Sequence, residues 1–151
     1  MSRDAKRLPT AALADTAGCA CLNLRMAARA VTQMYDAVLK PSALKATQFS
    51  VLAAVAHAGP ASMTAVARAL VMDRTTLTRN LRPLLDRGLV AAAAGGDRRQ
   101  RTIAVTANGE ALLAEALPLW KSAHDQIVDG VGAARWQGLA KLLRETISLS
   151  Q

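Results

Sequence analysis

The sequence predicts a mostly helical fold with one small β-hairpin. Hydrophobic residues make up 52% of the 151 residues and aromatic residues only 3%, and much of the apolar content is alanine, the best helix former. Apolar residues recur at helical spacing in six segments, whereas two short β-compatible runs flank a pair of glycines. The length fits one domain, residues 18–151, behind a flexible N-terminal arm, residues 1–17.

The first two predicted helices span Cys19–Lys40 and Thr47–Ala58. Pro41 ends the first helix, and Thr47 is expected to cap the second. The second helix is expected to bury one apolar face, formed by Phe49, Leu52, Val55 and Ala56.

Two further helices follow the turn at Gly59-Pro60. Ser62 is expected to cap a short helix, Met63–Leu70, and Asp73 a longer one that ends at Gly88. The longer helix has an apolar face of Leu77, Leu81, Leu84 and Leu85. Its opposite face carries Arg74, Thr75, Thr78, Arg79 and Arg82.

The predicted hairpin joins Leu89–Ala94 to Arg101–Thr106 and has arginines at its tip. The segment Arg68–Arg101 contains eight Arg and three Asp, a net +5 of the +8 on the whole chain. Such a basic patch on a helix and a hairpin favours nucleic acid as the partner. Arg can bond guanine and a Thr methyl can contact thymine, and a basic tip can enter a minor groove. For the helix taken alone, an ordinary solvated face is the alternative.

The last two predicted helices follow the hairpin. Thr106 is expected to cap a helix that runs to about Val128, Gly130 and Gly132 to break the chain, and Ala134–Leu149 to form the last helix. Both helices are apolar on more than one side. A helix of this kind needs more than one partner, which indicates self-association.

The hairpin and its flanks resemble the winged helix-turn-helix of MarR-family transcriptional regulators. In that family a D-x-R wing tip leads into L-T-x-x-G at the start of the next long helix. Here Asp97-Arg98-Arg99 matches the tip, and Val105-Thr106-Ala107-Asn108-Gly109 matches the second motif with Val in place of Leu. The resemblance implies a homodimer on pseudo-palindromic double-stranded DNA. It also implies a repressor that a small aromatic or carboxylate effector, or thiol oxidation, releases.

The resemblance also assigns regions and residues. The reading lobe would span about 44–106, and the helices of about 18–40 and 106–149 would form the dimer. The predicted DNA contacts are hydroxyl, arginine and wing-tip side chains: Ser62, Thr64, Arg74, Thr75, Thr76, Thr78, Arg79, Asp97, Arg98, Arg99 and Arg101. Five polar groups are candidates for the effector pocket, and the sequence does not choose among them: Arg25, Arg29, Tyr35, His57 and His124.

The two cysteines allow three interpretations. Cys19 and Cys21 lie two apart at the start of the first predicted helix, where a disulfide within the helix is geometrically poor. They are either small buried residues at the dimer seam, the interpretation we favour here, or a redox pair acting between subunits. A soft-metal site is the weakest interpretation, because no third Cys or His is nearby.

Other functions find little support. No apolar run is long enough to span a membrane, the polar N-terminus is a poor signal peptide, and we expect a cytoplasmic protein. His57 and His124 belong to no catalytic pattern, so neither an enzyme nor a cofactor or metal is expected. A non-specific architectural nucleic-acid-binding protein remains an alternative, because phosphate contacts carry no sequence information.

Overall fold

The structure, a computed structural model, describes Leu13, residues 15–93 and residues 102–149. The chain forms two compact units, residues 1–34 and residues 35–151. In the first unit a 3₁₀ turn, Asp15–Gly18, precedes helix α1, Ala20–Leu39, which runs on into the second unit. The second unit then contains a 3₁₀ turn at Lys40–Ser42, α2 (Ala46–Ala58), β1 (Ala61–Ser62), α3 (Met63–Ala69), α4 (Arg74–Asp86), β2 (Val90–Ala92), β3 (Thr102–Val105), α5 (Ala107–Val131) and α6 (Ala133–Ser148).

The described strands form one antiparallel sheet in the order β1-β3-β2. The predicted hairpin is the β2–β3 pair, with Val90 opposite Val105. Strand β1, which pairs Ala61 with Ile103, was not predicted from the sequence. A two-residue strand is too short to show an alternating pattern, so only its pairing with a distant segment defines it.

The core of the second unit lies between α2, α4 and the sheet. Leu77, Leu81 and Leu84 of α4 are almost completely buried, as their spacing predicted. The prediction that Leu85 belongs to this face was wrong, because 46% of its surface is exposed. Ala56 of α2 is likewise exposed rather than inward-facing, and Val51 is buried in the core instead.

The start of α2 differs from the prediction. The N-cap is Lys45 rather than Thr47, and the helix begins one residue before Thr47. The carboxylate of Asp36, on α1, accepts a hydrogen bond from the Ala46 N–H at 2.7 Å and lies 3.5 Å from the Lys45 ammonium. The Lys45 N–H donates to the Gln48 side-chain oxygen at 2.9 Å. A partner ten residues away therefore satisfies the free end of α2, which local sequence did not reveal.

Thr106 connects α4, the sheet and α5. Its hydroxyl donates to the Gly88 carbonyl at 2.7 Å and accepts from the Gly109 N–H at 3.2 Å, so it caps α5 as predicted. A Cβ added at Gly109 would overlap the Leu89 carbonyl oxygen and crowd a Val105 methyl. The T-x-x-G pattern thus places a cap and a close backbone approach at one junction.

The break between the last two helices is sharper than predicted. Helix α5 continues through Gly130 to Val131, and only Gly132, with φ +91°, separates it from α6. The expected break at Gly130 was therefore wrong. A glycine inside a helix costs about 1 kcal/mol relative to alanine, which the rest of a long helix easily offsets.

We expect Gly109→Ala to lower the free energy of unfolding by about 1–3 kcal/mol, because the new methyl group would displace the Leu89 backbone. Urea denaturation at fixed protein concentration measures this. Gly130→Ala is the matched control, since Gly130 lies inside α5 with nothing within 4 Å of the added Cβ. The control should be neutral or stabilising. Equal losses for the two variants would contradict the close approach.

Candidate nucleic-acid interface

The N-terminus of α4 is fixed by Asp73. Its carboxylate accepts from the Thr76 N–H at 2.8 Å and from the Thr76 hydroxyl at 2.7 Å. These hydrogen bonds, the backbone one first, hold the pKa of Asp73 below its ordinary value. The Thr76 hydroxyl proton is thus directed at the cap, which leaves its oxygen lone pairs and its methyl group for other contacts.

The exposed face of α4 carries the predicted reading residues. Arg74, Thr75, Thr78 and Arg79 are all exposed and lie within the first two turns. The Thr78 hydroxyl donates to the Arg74 carbonyl at 2.8 Å, which leaves its methyl group for apolar contact. Hydrogen-bond donors, acceptors and methyl groups are thus presented together on one face, as base edges in a major groove require.

The arginines at this end of α4 carry charge that no described acidic group neutralises. Within the described ranges, ion pairs of α4 are confined to its C-terminal half, where Arg82 lies 3.9 Å from Asp86. Arg68 on α3 and Arg74 and Arg79 on α4 form none there. The positive charge of this face is therefore available to an anionic partner.

The two predicted contacts at the start of α3 have different surroundings. The Ser62 side chain accepts from the Ala65 N–H at 3.2 Å and caps α3, as predicted. Ser62 is also half-buried and pairs with Thr102 in the sheet. Thr64, in the first turn of α3, is exposed, so it is the more accessible of the two.

The wing is described only up to its base. The Ala93 N–H donates to the Thr102 carbonyl at 2.9 Å, so the two strands are still paired where the description stops. The predicted tip contacts lie outside the described residues: Asp97, Arg98, Arg99 and Arg101. They stay predictions from sequence.

Three of the chain's four aromatic residues and one histidine form a row of rings in the second unit. Phe49 stacks on Trp120 at 6.0 Å, Trp120 on His124 at 5.3 Å, and His124 meets Trp136 edge-on at 5.8 Å between ring centroids. This ring row, Phe49–Trp120–His124–Trp136, connects α2, α5 and α6. This row was not predicted from the sequence. The four-residue spacing of Trp120 and His124 was its one local signal.

The five candidate effector residues have different local surroundings. His124 lies in the ring row, and Tyr35 is half-buried. Burial first, and then the negative charge of Asp125, raise the pKa of Tyr35. His57 is exposed at the end of α2, and Arg25 and Arg29 are exposed on the part of α1 that belongs to the first unit. The group that acts on Tyr35, Asp125, is the sequence neighbour of His124.

The single chain does not bury the two cysteines, and their expected burial at the dimer seam stays a prediction. Cys19 and Cys21 are both exposed. Cys19 also lies before the first residue of α1, with its N–H donating to the Thr16 carbonyl at 3.0 Å. The first-turn geometry that opposes a disulfide therefore constrains Cys21 but not Cys19.

The described residues form neither a metal-site cluster nor a membrane-spanning helix. No three His, Cys, Asp or Glu side chains there come together as a metal site would require. No helix within those ranges combines the length and the apolar character needed to cross a bilayer.

Known proteins resemble this chain in sequence and in structure. The MarR family model matches residues 44–100. The Mycobacterium tuberculosis transcriptional regulator MosR, solved in complex with DNA, is 38% identical, with a TM-score of 0.75 over 88% of this chain and 99% of that one. Bordetella bronchiseptica BpsR, whose DNA binding is regulated by 6-hydroxynicotinic acid, is 26% identical, with a TM-score of 0.76 over 85% of this chain and 93% of that one. The Escherichia coli O157:H7 transcriptional regulator HosA is 28% identical over 102 residues, 67% of this chain and 76% of HosA.

The Asp73 cap should make stability depend on pH. Because the folded-state pKa lies below the ordinary value of 3.8, the cap's contribution is complete above that value and is lost as the pH falls below it. We expect Asp73→Ala to lower the melting temperature at pH 7 and to lose less further stability on acidification than the wild type does.

The matched variant is Asp73→Asn, which keeps a capping oxygen but cannot titrate. It should resemble the wild type at pH 7 and Asp73→Ala in its shallower response to acid. Melting curves from pH 3 to pH 7 compare the three proteins. Parallel acid responses in all three would contradict the role of Asp73.

Proposed function

This chain belongs to the MarR family of transcriptional regulators, and we propose that it is a dimeric repressor that reads a pseudo-palindromic DNA operator. The observation that carries the proposal is the exposed row of Arg74, Thr75, Thr78 and Arg79 at the N-terminal end of α4. This row lies opposite the buried leucines that fix the helix to the core. A helix held in this way can present its first turns to a major groove.

The same surface favours specific over non-specific binding. A protein that contacts only phosphates needs only positively charged side chains, whereas α4 combines arginines with threonine hydroxyl and methyl groups. Two copies of α4 related by a two-fold axis would read half-sites about one helical turn of DNA apart. The wing tip, residues 97–99, would add contacts to the backbone or minor groove. Such an operator is reached from the cytoplasm, where we propose the protein acts.

Two substitutions distinguish contacts to DNA bases from contacts to DNA phosphates. Arg74→Ala should weaken operator binding by about 1–3 kcal/mol and hardly change binding to unrelated DNA, because a base contact is lost. Arg99→Ala should weaken binding to both and reduce the slope of log K against log salt by about 0.9, the value for one phosphate contact.

The measurement is fluorescence anisotropy with two duplexes. One is the duplex that the full-length wild type selects from a randomised pool, and the other is a scramble of it. Arg82→Ala is the control, since Arg82 pairs with Asp86 beyond the reading end. If Arg74→Ala lost equal affinity for the two duplexes, base reading by α4 would be wrong. An unchanged salt slope for Arg99→Ala would remove the wing tip from the interface.

The proposal of a dimer rests on apolar surface that the single chain leaves open. Helix α6 buries none of its residues, and 60% of Leu142 and 88% of the adjoining Leu149 are exposed. Helix α1 also exposes large apolar side chains in the first unit, among them Leu22 and Met26. Apolar area of this extent on two helices is typical of an interface between subunits. We therefore assign the helices near the two chain ends to a homodimer.

Leu142→Asp should shift the protein from dimer to monomer or aggregate and lower its melting temperature, because a carboxylate would be buried in the interface. Light scattering after gel filtration, over a range of protein concentrations, measures the mass. Leu85→Asp is the control, because Leu85 is similarly exposed but lies on α4. A dimer that tolerates Leu142→Asp as well as Leu85→Asp would place the interface elsewhere.

We propose that a small aromatic or carboxylate effector releases the repressor. The ring row offers stacking surface, and the half-buried Tyr35 hydroxyl next to Asp125 offers a polar partner. The regulation of BpsR by 6-hydroxynicotinic acid shows the effector chemistry of one relative. Tyr35 and His124 are the residues we would place at the effector. Arg25, Arg29 and His57 stay predictions from sequence.

Thiol oxidation is a second candidate for release, favoured by the exposure of both cysteines. Peroxide would convert the Cys19 and Cys21 thiols to one disulfide and two molecules of water, within a chain or between subunits. Because Cys19 precedes the helix while Cys21 lies in its first turn, a bond between them would disturb the start of α1. If α1 is part of the dimer, that disturbance would change the distance between the two copies of the reading lobe.

One experiment compares the two routes. Operator binding is measured for the wild type and for the Cys19→Ser, Cys21→Ser double variant, with 6-hydroxynicotinic acid and, separately, with peroxide followed by thiol reductant. The effector route predicts that the acid releases both proteins. The redox route predicts that peroxide releases only the wild type and that reductant restores its binding. If neither treatment released the wild type, release by this acid and release by thiol oxidation would both be wrong.

A further inference from the structure

The turn between α3 and α4 contains a residue in an unusual backbone conformation. Val71 has φ +51°, in the left-handed region. A β-branched residue rarely adopts this region, because its Cβ approaches the carbonyl oxygen. Among the described residues other than glycine, only Ala43, at φ +53°, shares a positive φ.

Backbone hydrogen bonds hold Val71 in this conformation. The Met72 N–H donates to the Ala67 carbonyl at 2.8 Å, and the Val71 N–H donates to the Arg68 carbonyl at 3.1 Å. This pair of bonds is the Schellman motif that ends many helices, with Val71 at the position that glycine usually occupies. The chain therefore has a strained residue where an unstrained one would fit.

The connection between α3 and α4 is short. Met72 follows Val71, and Asp73 is already the N-cap of α4. Leu70 and Met72 on either side pack against the core, whereas 54% of Val71 is exposed. The backbone torsions of Val71 therefore set the direction in which α4 leaves the turn, and its side chain contributes little packing.

Valine and glycine at this position differ in how tightly they hold the turn. Glycine has broad access to both positive and negative φ, so it would accept the turn without strain and also allow it to move. Valine has one narrow left-handed well. Once the flanking hydrogen bonds place Val71 in this well, small changes in its φ and ψ raise its conformational energy steeply.

We propose that Val71 is a positioning residue for DNA recognition, which restricts the α3–α4 turn so that the reading face of α4 is held in one direction. The inference rests on the proposed function, because it concerns how α4 reads DNA. A reading helix held in place before binding loses less conformational freedom when it binds. The benefit is confined to the operator, where base contacts need α4 in a defined place, and is absent from loose phosphate contact.

Three single substitutions test this. Val71→Gly frees the turn. Val71→Asn removes the β-branched side chain but keeps a residue that occupies the left-handed region readily. Ala43→Gly is the matched control, because it makes the same kind of change at the other positive-φ residue, which lies outside the helix-turn-helix.

Full-length proteins are compared by anisotropy on the operator duplex selected by the wild type and on its scramble. Val71→Gly should bind the operator about two- to fivefold more weakly, the change expected from the added backbone freedom of glycine. Its affinity for the scramble and its melting temperature should not fall. Val71→Asn and Ala43→Gly should match the wild type on both duplexes. In hydrogen exchange, the Met72 amide should exchange faster in Val71→Gly alone.

The outcomes that overturn the inference are distinct. If Val71→Gly kept full operator affinity, the stiffness of the turn would have no role in reading. If Val71→Asn lost as much as Val71→Gly, the valine side chain itself would be the contact. An equal loss on the scramble would indicate general damage. If the wild type failed to distinguish the two duplexes, the proposed function would fall first, and this inference with it.

Discussion

Thr106 joins three parts of the second unit, which are α4, the β2–β3 strands and α5. Its hydroxyl donates to the Gly88 carbonyl at the end of α4 and accepts from the Gly109 N–H at the start of α5, while the Thr106 N–H donates to the Leu89 carbonyl at 3.1 Å. Gly109 lets the backbones approach, because any side chain there would meet the Leu89 carbonyl. Helix α4, the strands β2 and β3, and the long helix α5 are thereby connected through hydrogen bonds to backbone groups. A change at this junction would reach all three parts.

Helix α4 has two faces, one packed in the core and one exposed and available to a partner. Leu77, Leu81 and Leu84 fill the core on one side, so the exposed side needs no apolar residues and carries arginines and threonines. Ion pairs between exposed side chains contribute little to stability, and the reading end of α4 forms none among the described residues. Its charge is therefore kept for a partner. The strain at Val71, of about 1–2 kcal/mol for a residue in the left-handed region, is small beside the burial of this leucine face.

Regulation, as proposed, acts through the helices that the single chain leaves partly uncovered. In the proposed dimer, burial of the apolar surface on α1 and α6 would link the stability of the fold to association. The exposed thiols lie at the start of α1, and the ring row ends on α6. Both proposed signals would therefore act on helices that we assign to the dimer. A change in the dimer would alter the distance between the two copies of the reading lobe without altering either copy. On this proposal, the residues that bind DNA are separate from those that respond to a signal.

The sequence by itself determined the features that depend on neighbours within a few residues. The caps Ser62, Asp73 and Thr106, the buried leucine face of α4 and the hairpin could all be predicted, because their hydrogen bonds and apolar spacing are local. Tertiary structure decided the rest. Asp36 caps α2 from ten residues away, β1 exists only through its pairing with β3, and the ring row joins residues from three helices. The left-handed φ of Val71 also could not be predicted, because valine intrinsically disfavours this conformation. Only the hydrogen bonds from the Val71 and Met72 N–H groups to carbonyls of α3 hold it there.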